Sequence, residues 1–348
     1  MSKAEQFRAE AAQRILIKDG PYGTQIQAAS LGAEDYGAGT GLGRDQKGNN
    51  DLVNLTQPHV IRAICDAYVD AGAVLLATNT FNANRISQAD YGAERLVREI
   101  NVAAARIIRE AVDAATAKDG VPRFVAGAMG PTNKTLSLSP KVEDPGFREV
   151  SFDEVKEVYR EQAAALVEGG SDFILIETVF DTLNCKAAIM AVKELEREIG
   201  REVPVMISLT LTDLSGRNLS GHTVEAFWHA VRHARPLAIG LNCSFGADQL
   251  RPHVQALSQI ADVLLMAYPN AGLPNDLGEY DEEPETTAAL VKRWAEHGQV
   301  NVLGGCCGST PEHIAAMAQA VEGIAPRRLP RLQPAMRLAG LEPFVLAA

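Results

Sequence analysis

Short apolar runs recur along the chain, each followed by a stretch with the periodicity of a helix. The runs are RILIKD (14–19), AVLLATNT (73–80), RFVAGAMG (123–130), DFILIET (172–178), PVMISLT (204–210), LAIGLN (237–242), DVLLMAYP (262–269) and VNVLGG (300–305). They are continuous rather than alternating, and rich in β-branched residues, as strands buried on both faces of a parallel sheet are. Helical patterns follow from about Pro58 to Ala71, near 93–117, over 152–169 and, last, in TPEHIAAMAQAVEGI. Ser151 and Glu154 have the spacing of a capping box, and Thr310-Pro311 that of an N-cap with proline at the first helical position. Eight such units predict an α/β fold, a (β/α)8 TIM barrel, over residues 1–325. Long βα loops at 28–56, 134–150 and 271–285 would cover its mouth at the C-terminal face. The Pro- and Arg-rich segment 326–348 reads as a C-terminal linker or strap. A doubly wound sheet fits less well: no G-x-G-x-x-G or Walker A sequence follows any run, and the glycines at 37, 39, 41 and 43 are spaced two apart.

Composition narrows the classes. The 348 residues are 46% hydrophobic and 22% charged, a soluble globular balance. A net charge of −11 argues against a nucleic-acid partner, and the apolar runs are too short to cross a bilayer. The polar, helix-prone N-terminus lacks the regions of a signal peptide, so a cytoplasmic location is expected. Five cysteines form no disulfide framework. In a reducing compartment, grouped cysteines are more often metal ligands or catalytic groups.

In a barrel the chemistry gathers where the strands end. The first run ends in Asp19-Gly20, the second in Asn79 and the fourth in Glu177. The sixth ends in Asn242-Cys243, the seventh in Pro269-Asn270 and the eighth in Gly305-Cys306-Cys307. Cys65 and Cys185 fall in helical patterns and read as core. The separation 306 − 243 = 63 fits no sequence-local zinc pattern. Strands six and eight flank strand seven, however, so their loops can converge. Three thiolates on Zn²⁺ would leave an open, catalytic position, and the glycines at 304, 305 and 308 would let both adjacent cysteines turn toward one ion. A redox pair, or no site at all, remains open on these residues alone. A zinc with three thiolates carries net charge −1 and suits holding a thiol as a nucleophilic thiolate, so alkyl transfer to sulfur is the expected reaction. Asp19 and Glu177 could take the ammonium of a thiol amino acid, and backbone N–H groups after Asp19 its carboxylate. His229, His233, His253, His297 and His313 read as helical surface or satisfied groups. His222 lies on the functional side with no assigned role.

These residues carry a resemblance. The chain from about Ile15 to Pro326 resembles the zinc-dependent homocysteine S-methyltransferase family, and within it the homocysteine-binding module of cobalamin-dependent methionine synthase. The carriers are DGPYGTQIQ, NNDLVNLTQP, ATNTFNANR, GPTNKTLSLSP, ETVFDTLN, LNCSFGADQL, YPNAGLPN and GGCCGSTPEHI. The resemblance implies that Cys243, Cys306 and Cys307 bind Zn²⁺, with homocysteine sulfur in the fourth position and Asn270 as an exchangeable ligand when substrate is absent. It implies a substrate site of Asp19, Gly20, Tyr22, Gly23, Asn79 and Glu177. Pro21 departs from the family pattern and offers no N–H, which leaves any carboxylate contact there to Tyr22 or Gly23. No D-x-H-x-x-G cobalamin loop occurs, and LAGLEPF near residue 340 looks like the linker before a folate module. The resemblance therefore implies the homocysteine-binding part of a split methionine synthase, with methylcobalamin and methyltetrahydrofolate modules on a partner chain or on further domains. The alternatives are a stand-alone homocysteine S-methyltransferase using S-methylmethionine or betaine, and a zinc or thiol redox sensor.

Overall fold

The computed structural model describes residues 1–347. Eight parallel strands occupy the predicted runs: β1 (Leu16–Ile17), β2 (Leu75–Ala77), β3 (Phe124–Met129), β4 (Phe173–Val179), β5 (Val205–Leu209), β6 (Ala238–Gly246), β7 (Leu264–Asn270) and β8 (Val302–Leu303). They pair in the order β1-β8-β7-β6-β5-β4-β3-β2. The remaining seam, between β1 and β2, is held by the Lys18–Leu75 bridge and by Val74 N–H donating to the Ile17 carbonyl at 2.8 Å. The sheet is thereby a (β/α)8 barrel. Its outer helices are α1 (Pro58–Asp70), α2 (Val97–Asp119), α3 (Phe152–Gly169), α4 (Thr182–Ile199), α5 (Val224–Val231), α6 (Ala247–Ile260), α7 (Pro284–Glu296) and α8 (Pro311–Val321).

Two cores explain why the runs are continuous. Ile17, Leu76, Val125, Ile174, Ile207, Ile239 and Leu303 face the helices in one cluster. Leu16, Leu75, Phe124, Phe173, Leu175, Met206, Met266 and Val302 fill the barrel interior in another. With both faces dry, neither set of alternating positions can be polar. The capping box of Ser151 with Glu154 and the proline at the first turn of α8 both form. The N-terminal segment is also helical (Lys3–Gln13), started by a Ser2–Glu5 capping box. Its fully buried Phe7 meets the rings of Phe124 and Phe173 at 5.1 and 5.3 Å, closing the N-terminal end of the barrel.

The loop over 28–56 is not irregular: it holds the short helices Ala33–Gly37 and Val53–Thr56. The C-terminal segment has more structure than a strap. Arg327 is buried, and its guanidinium donates to the carbonyls of Ser258, Ala261 and Val263. Further on, β9 (Ala335–Ala339) and β10 (Pro343–Ala347) form an antiparallel hairpin against α5. Among the described residues, no helix is long and apolar enough to cross a membrane.

Candidate active site

β6 carries Cys243 on a bulge. The ladder with β7 is regular to Asn242 opposite Tyr268 and resumes only at Gly246 opposite Asn270. Between them Cys243 and Ser244 take φ values of 62° and 64°, a left-handed conformation that costs a non-glycine residue about 1–3 kcal/mol. The bulge is tied down by the Ser244 hydroxyl, which meets Thr210 Oγ1 at 2.6 Å and donates to the Leu211 carbonyl. β4 has a matching irregularity: its register with β5 shifts between Ile176 and Val179, and Thr178 has φ 56°. Asn242 links the two. Its Oδ1 accepts from Thr178 N–H at 3.1 Å and from the Ser208 hydroxyl at 2.6 Å. Its Nδ2 donates to Thr178 Oγ1 at 2.8 Å and to Cys306 Sγ at 3.7 Å. Strain of this kind persists only where the surroundings over-determine it.

The two adjacent cysteines continue the β7–β8 pairing beyond the strand. Cys306 N–H donates to the Pro269 carbonyl at 2.8 Å, and Ala271 N–H to that of Cys307 at 3.0 Å. Gly308 then turns at φ 79°, with Tyr280 packed where a side chain would begin.

All three sulfur atoms lie within 4.8 Å of one another, and Cys243 Sγ stands 3.8 Å from Cys307 Sγ. Bonds of about 2.3 Å in a tetrahedral zinc site put sulfurs roughly 3.8 Å apart, so the three residues fit Zn²⁺. By themselves the thiols carry one charge readily. Hydrogen bonds from Cys243 and Cys306 hold Cys307 well below the usual thiol range. Cys306 is pushed up by donating to both neighbours and by burial. Ionising all three requires a cation to compensate them.

The cysteines open on a cavity of about 350 Å³ that Gly20, Tyr22, Gly23, Asn79 and Glu177 also line. Gly20 has no room for a side chain because the Tyr68 ring is 2.7–2.8 Å from where its Cβ would lie. Asn79 uses its amide on the Asn50 carbonyl at 2.8 Å, fixing the 49–54 segment to the end of β2. Glu177 is half-buried and accepts from the Tyr268 hydroxyl at 3.2 Å. Asp19 is placed differently. It is 0% exposed and is not part of the cavity wall. Its two oxygens accept from Lys18 Nζ at 2.7 Å and Ala77 N–H at 2.8 Å. Asn270 ends β7 with a buried Oδ1 that has no partner among the described residues.

Two charged lining residues, Lys18 and Asp51, have no role in the sequence reading. Lys18 was visible as a charge inside an apolar run. Asp51 lies in the NNDL motif; it is buried, accepts from Asn82 N–H at 3.0 Å, and burial pushes its carboxyl up to about 7. Cys65 and Cys185 are core residues of α1 and α4. His222 meets Thr182 Oγ1 at 3.1 Å and does not line the cavity. His313 is buried and satisfied by Thr310 and the Glu282 carbonyl. A larger cavity, about 830 Å³, lies at the other end of the barrel among Arg8, Arg235 and Arg327 and contains none of the three cysteines.

Three cysteines from two strand ends converge at the C-terminal face of a parallel barrel, in an arrangement that could hold a metal ion. The model of the homocysteine S-methyltransferase family matches residues 16–321, and the chain belongs to that family. It is accordingly an enzyme of the methyltransferase type. Among solved structures it is similar to the metallated form of the homocysteine methyltransferase MmuM from Escherichia coli. That match has 23% identity and a TM-score of 0.68, over 88% of this chain and 96% of that one. The oxidized form matches over the same shares at 22% identity and a TM-score of 0.68. The apo form does so at 20% and 0.64. At these identities the likeness is one of fold.

Proposed function

We propose that the chain binds homocysteine with its sulfur at the Cys243–Cys306–Cys307 centre and methylates that sulfur, giving methionine. The observation that carries this reading is the convergence of three thiols, within 4.8 Å, on a cavity that also exposes Glu177. Bound by the three cysteines, Zn²⁺ supplies the charge that keeps a thiol ionised at neutral pH. The chain's own residues do the rest. Glu177, whose carboxylate has the Tyr268 hydroxyl as its one hydrogen-bond partner among the described residues, receives the substrate's ammonium. Asn242 steadies Cys306 through its amide. Asn270, whose Oδ1 has no partner among the described residues, is the exchangeable fourth donor when substrate is absent. Tyr268 and Phe81 contribute apolar surface to the cavity wall.

Two donors are compatible with this site. The first reading is a stand-alone transferase that takes methyl from a small sulfonium or quaternary ammonium compound such as S-methylmethionine or betaine. The span of the match supports it, since the homocysteine methyltransferase MmuM is covered over 96% of its own chain. The second reading is the homocysteine-binding component of a cytoplasmic methionine synthase, with methylcobalamin presented by a partner chain. The GPTNKTLSLSP and LAGLEPF stretches support it, as do the exposed Leu338, Leu341 and Phe344 of the terminal hairpin, which offer an apolar surface to a partner. Incubating the zinc-loaded chain with homocysteine and each donor in turn separates them. Methionine from S-methylmethionine or betaine establishes the first, and methionine from methylcobalamin alone the second. No methionine from any donor refutes both.

A further inference from the structure

We propose that the cavity at the N-terminal end of the barrel is a second ligand site, for an organic polyanion of the nucleoside-triphosphate class. Arg8, Arg235 and Arg328 take the phosphates, and the apolar part of the wall takes the organic body. The site lies at the opposite end of the barrel from the three cysteines, so the inference does not depend on what they bind.

The cavity has a volume of about 830 Å³, the size of a small-molecule site. It is formed by the N-terminal helix, the turns that enter β6, β7 and β8, and the 323–329 segment. The charged residues that line it are Arg8, Arg14, Arg235, Arg327, Arg328 and Asp262. Five cations thus accompany one carboxylate, in a chain whose net charge is −11. Two of these six are already paired, Arg14 with Glu10 at 3.1 Å and Asp262 with Arg232 at 2.9 Å. Arg8, Arg235 and Arg328 are exposed, and among the described residues their guanidinium groups have no hydrogen-bond partner.

Arg327 adds a charge that the fold itself does not neutralise. It is 4% exposed, and its guanidinium bonds go to the carbonyls of Ser258, Ala261 and Val263, not to a carboxylate. Burial works against this cation, and Asp262, the one carboxylate that favours it, is already engaged by Arg232. A buried cation without a counter-ion is costly, and an anion in the cavity would lower that cost. Arg235 supports the same reading. It holds φ 48°, a left-handed conformation in which glycine is the ordinary residue, so a guanidinium is kept at this turn against backbone strain. Guanidinium forks match phosphate oxygens in paired bonds, and several forks around one cavity suit a chain of phosphates. A single inorganic phosphate would leave most of the 830 Å³ unfilled. Pro236, Ile324 and Leu329 supply apolar wall for a base and sugar.

The test is calorimetric binding to the full, zinc-loaded chain at about 0.1 M salt. The ligands are ATP, tripolyphosphate, which lacks the nucleoside, and adenosine, which lacks the charge. The proteins are wild type, Arg235→Gly, and a triple variant that adds Arg8→Gln and Arg328→Gln. Glycine suits the left-handed turn, the other two positions are exposed, and Arg327 is left in place, so the variants keep the fold. Zinc content and the unfolding midpoint are checked in each. Wild type is expected to bind ATP, tripolyphosphate about tenfold more weakly, and adenosine not measurably below about 1 mM. Arg235→Gly is expected to lose about fivefold for ATP and the triple variant about 50-fold or more. ATP should also raise the unfolding midpoint of wild type and not that of the triple variant. No binding of ATP to wild type at about 1 mM would overturn the proposal. Unchanged ATP affinity in the triple variant would place the nucleotide elsewhere and overturn it as well. Tripolyphosphate binding as tightly as ATP would reduce the cavity to a simple anion site and overturn the organic class.

Discussion

The Sγ atoms of Cys243 and Cys307 stand 3.8 Å apart although 64 residues separate them in the chain. Each arrives from a different strand, and the left-handed bulge at Cys243 accompanies that approach. If the pair and Cys306 form one metal centre, replacing any one removes a ligand that no nearby residue duplicates. Cys243→Ser, Cys306→Ser and Cys307→Ser should each fall from about one zinc per chain to well below that after washing with a mild chelator. Elemental analysis of the washed proteins checks this.

Asn242 should matter to the metal without touching it. Its amide bonds Cys306 Sγ while its oxygen accepts from β4 and β5. Asn242→Ala should weaken zinc about 10–100-fold, the usual effect of losing an outer partner. It should also destabilise the fold by about 1–3 kcal/mol, because buried partners are left unpaired. Chelator competition and denaturant unfolding measure the two separately. An unchanged zinc affinity would show that the contact with Cys306 is incidental.

Gly308 is the turn that lets Cys306 and Cys307 serve one centre. At φ 79°, with Tyr280 Cβ 2.3 Å from where a side chain would start, an alanine must both adopt a left-handed conformation and move Tyr280. Gly308→Ala should destabilise by at least about 1 kcal/mol and weaken zinc as well. Thermal unfolding with and without the metal tests both parts.

Asp51 should make stability depend on pH. Burial raises its carboxyl from 3.8 to about 7 in the folded chain. Between these values the folded state binds more protons than the unfolded state, so stability falls as pH rises across that window. Asp51→Asn, which can still accept from Asn82 N–H, should be more stable than wild type at pH 8, by at most a few kcal/mol. The advantage should vanish below about pH 4. Parallel unfolding curves at pH 4, 6 and 8 would show it, and a pH-independent difference would argue for a packing effect instead.

The barrel was legible because its signals are local and repeated. DFILIET ends within a residue of β4, and Ser151 caps α3 where the sequence places it. The convergence of the cysteines followed from topology, since strands six and eight flank strand seven. The details that set the site were not legible. The β6 run reads as ending at Asn242, but the strand continues to Gly246 through two left-handed residues that propensity disfavours. Asp19 reads as an open carboxylate because neighbours on a strand point to opposite faces. Its 2.7 Å contact with Lys18 is a side-chain meeting of chain neighbours that the pattern of the run does not reveal. The tail gave no strand pattern strong enough to set against its prolines and arginines, yet it forms a hairpin against α5.

The account's central claim is that substrate sulfur joins the three cysteines at one metal. Zinc-edge X-ray absorption on the loaded chain tests it most directly. The account predicts three sulfur ligands and one lighter atom without substrate, and four sulfurs once homocysteine is added at saturation. Three sulfurs with an unchanged lighter ligand at saturating homocysteine would contradict it.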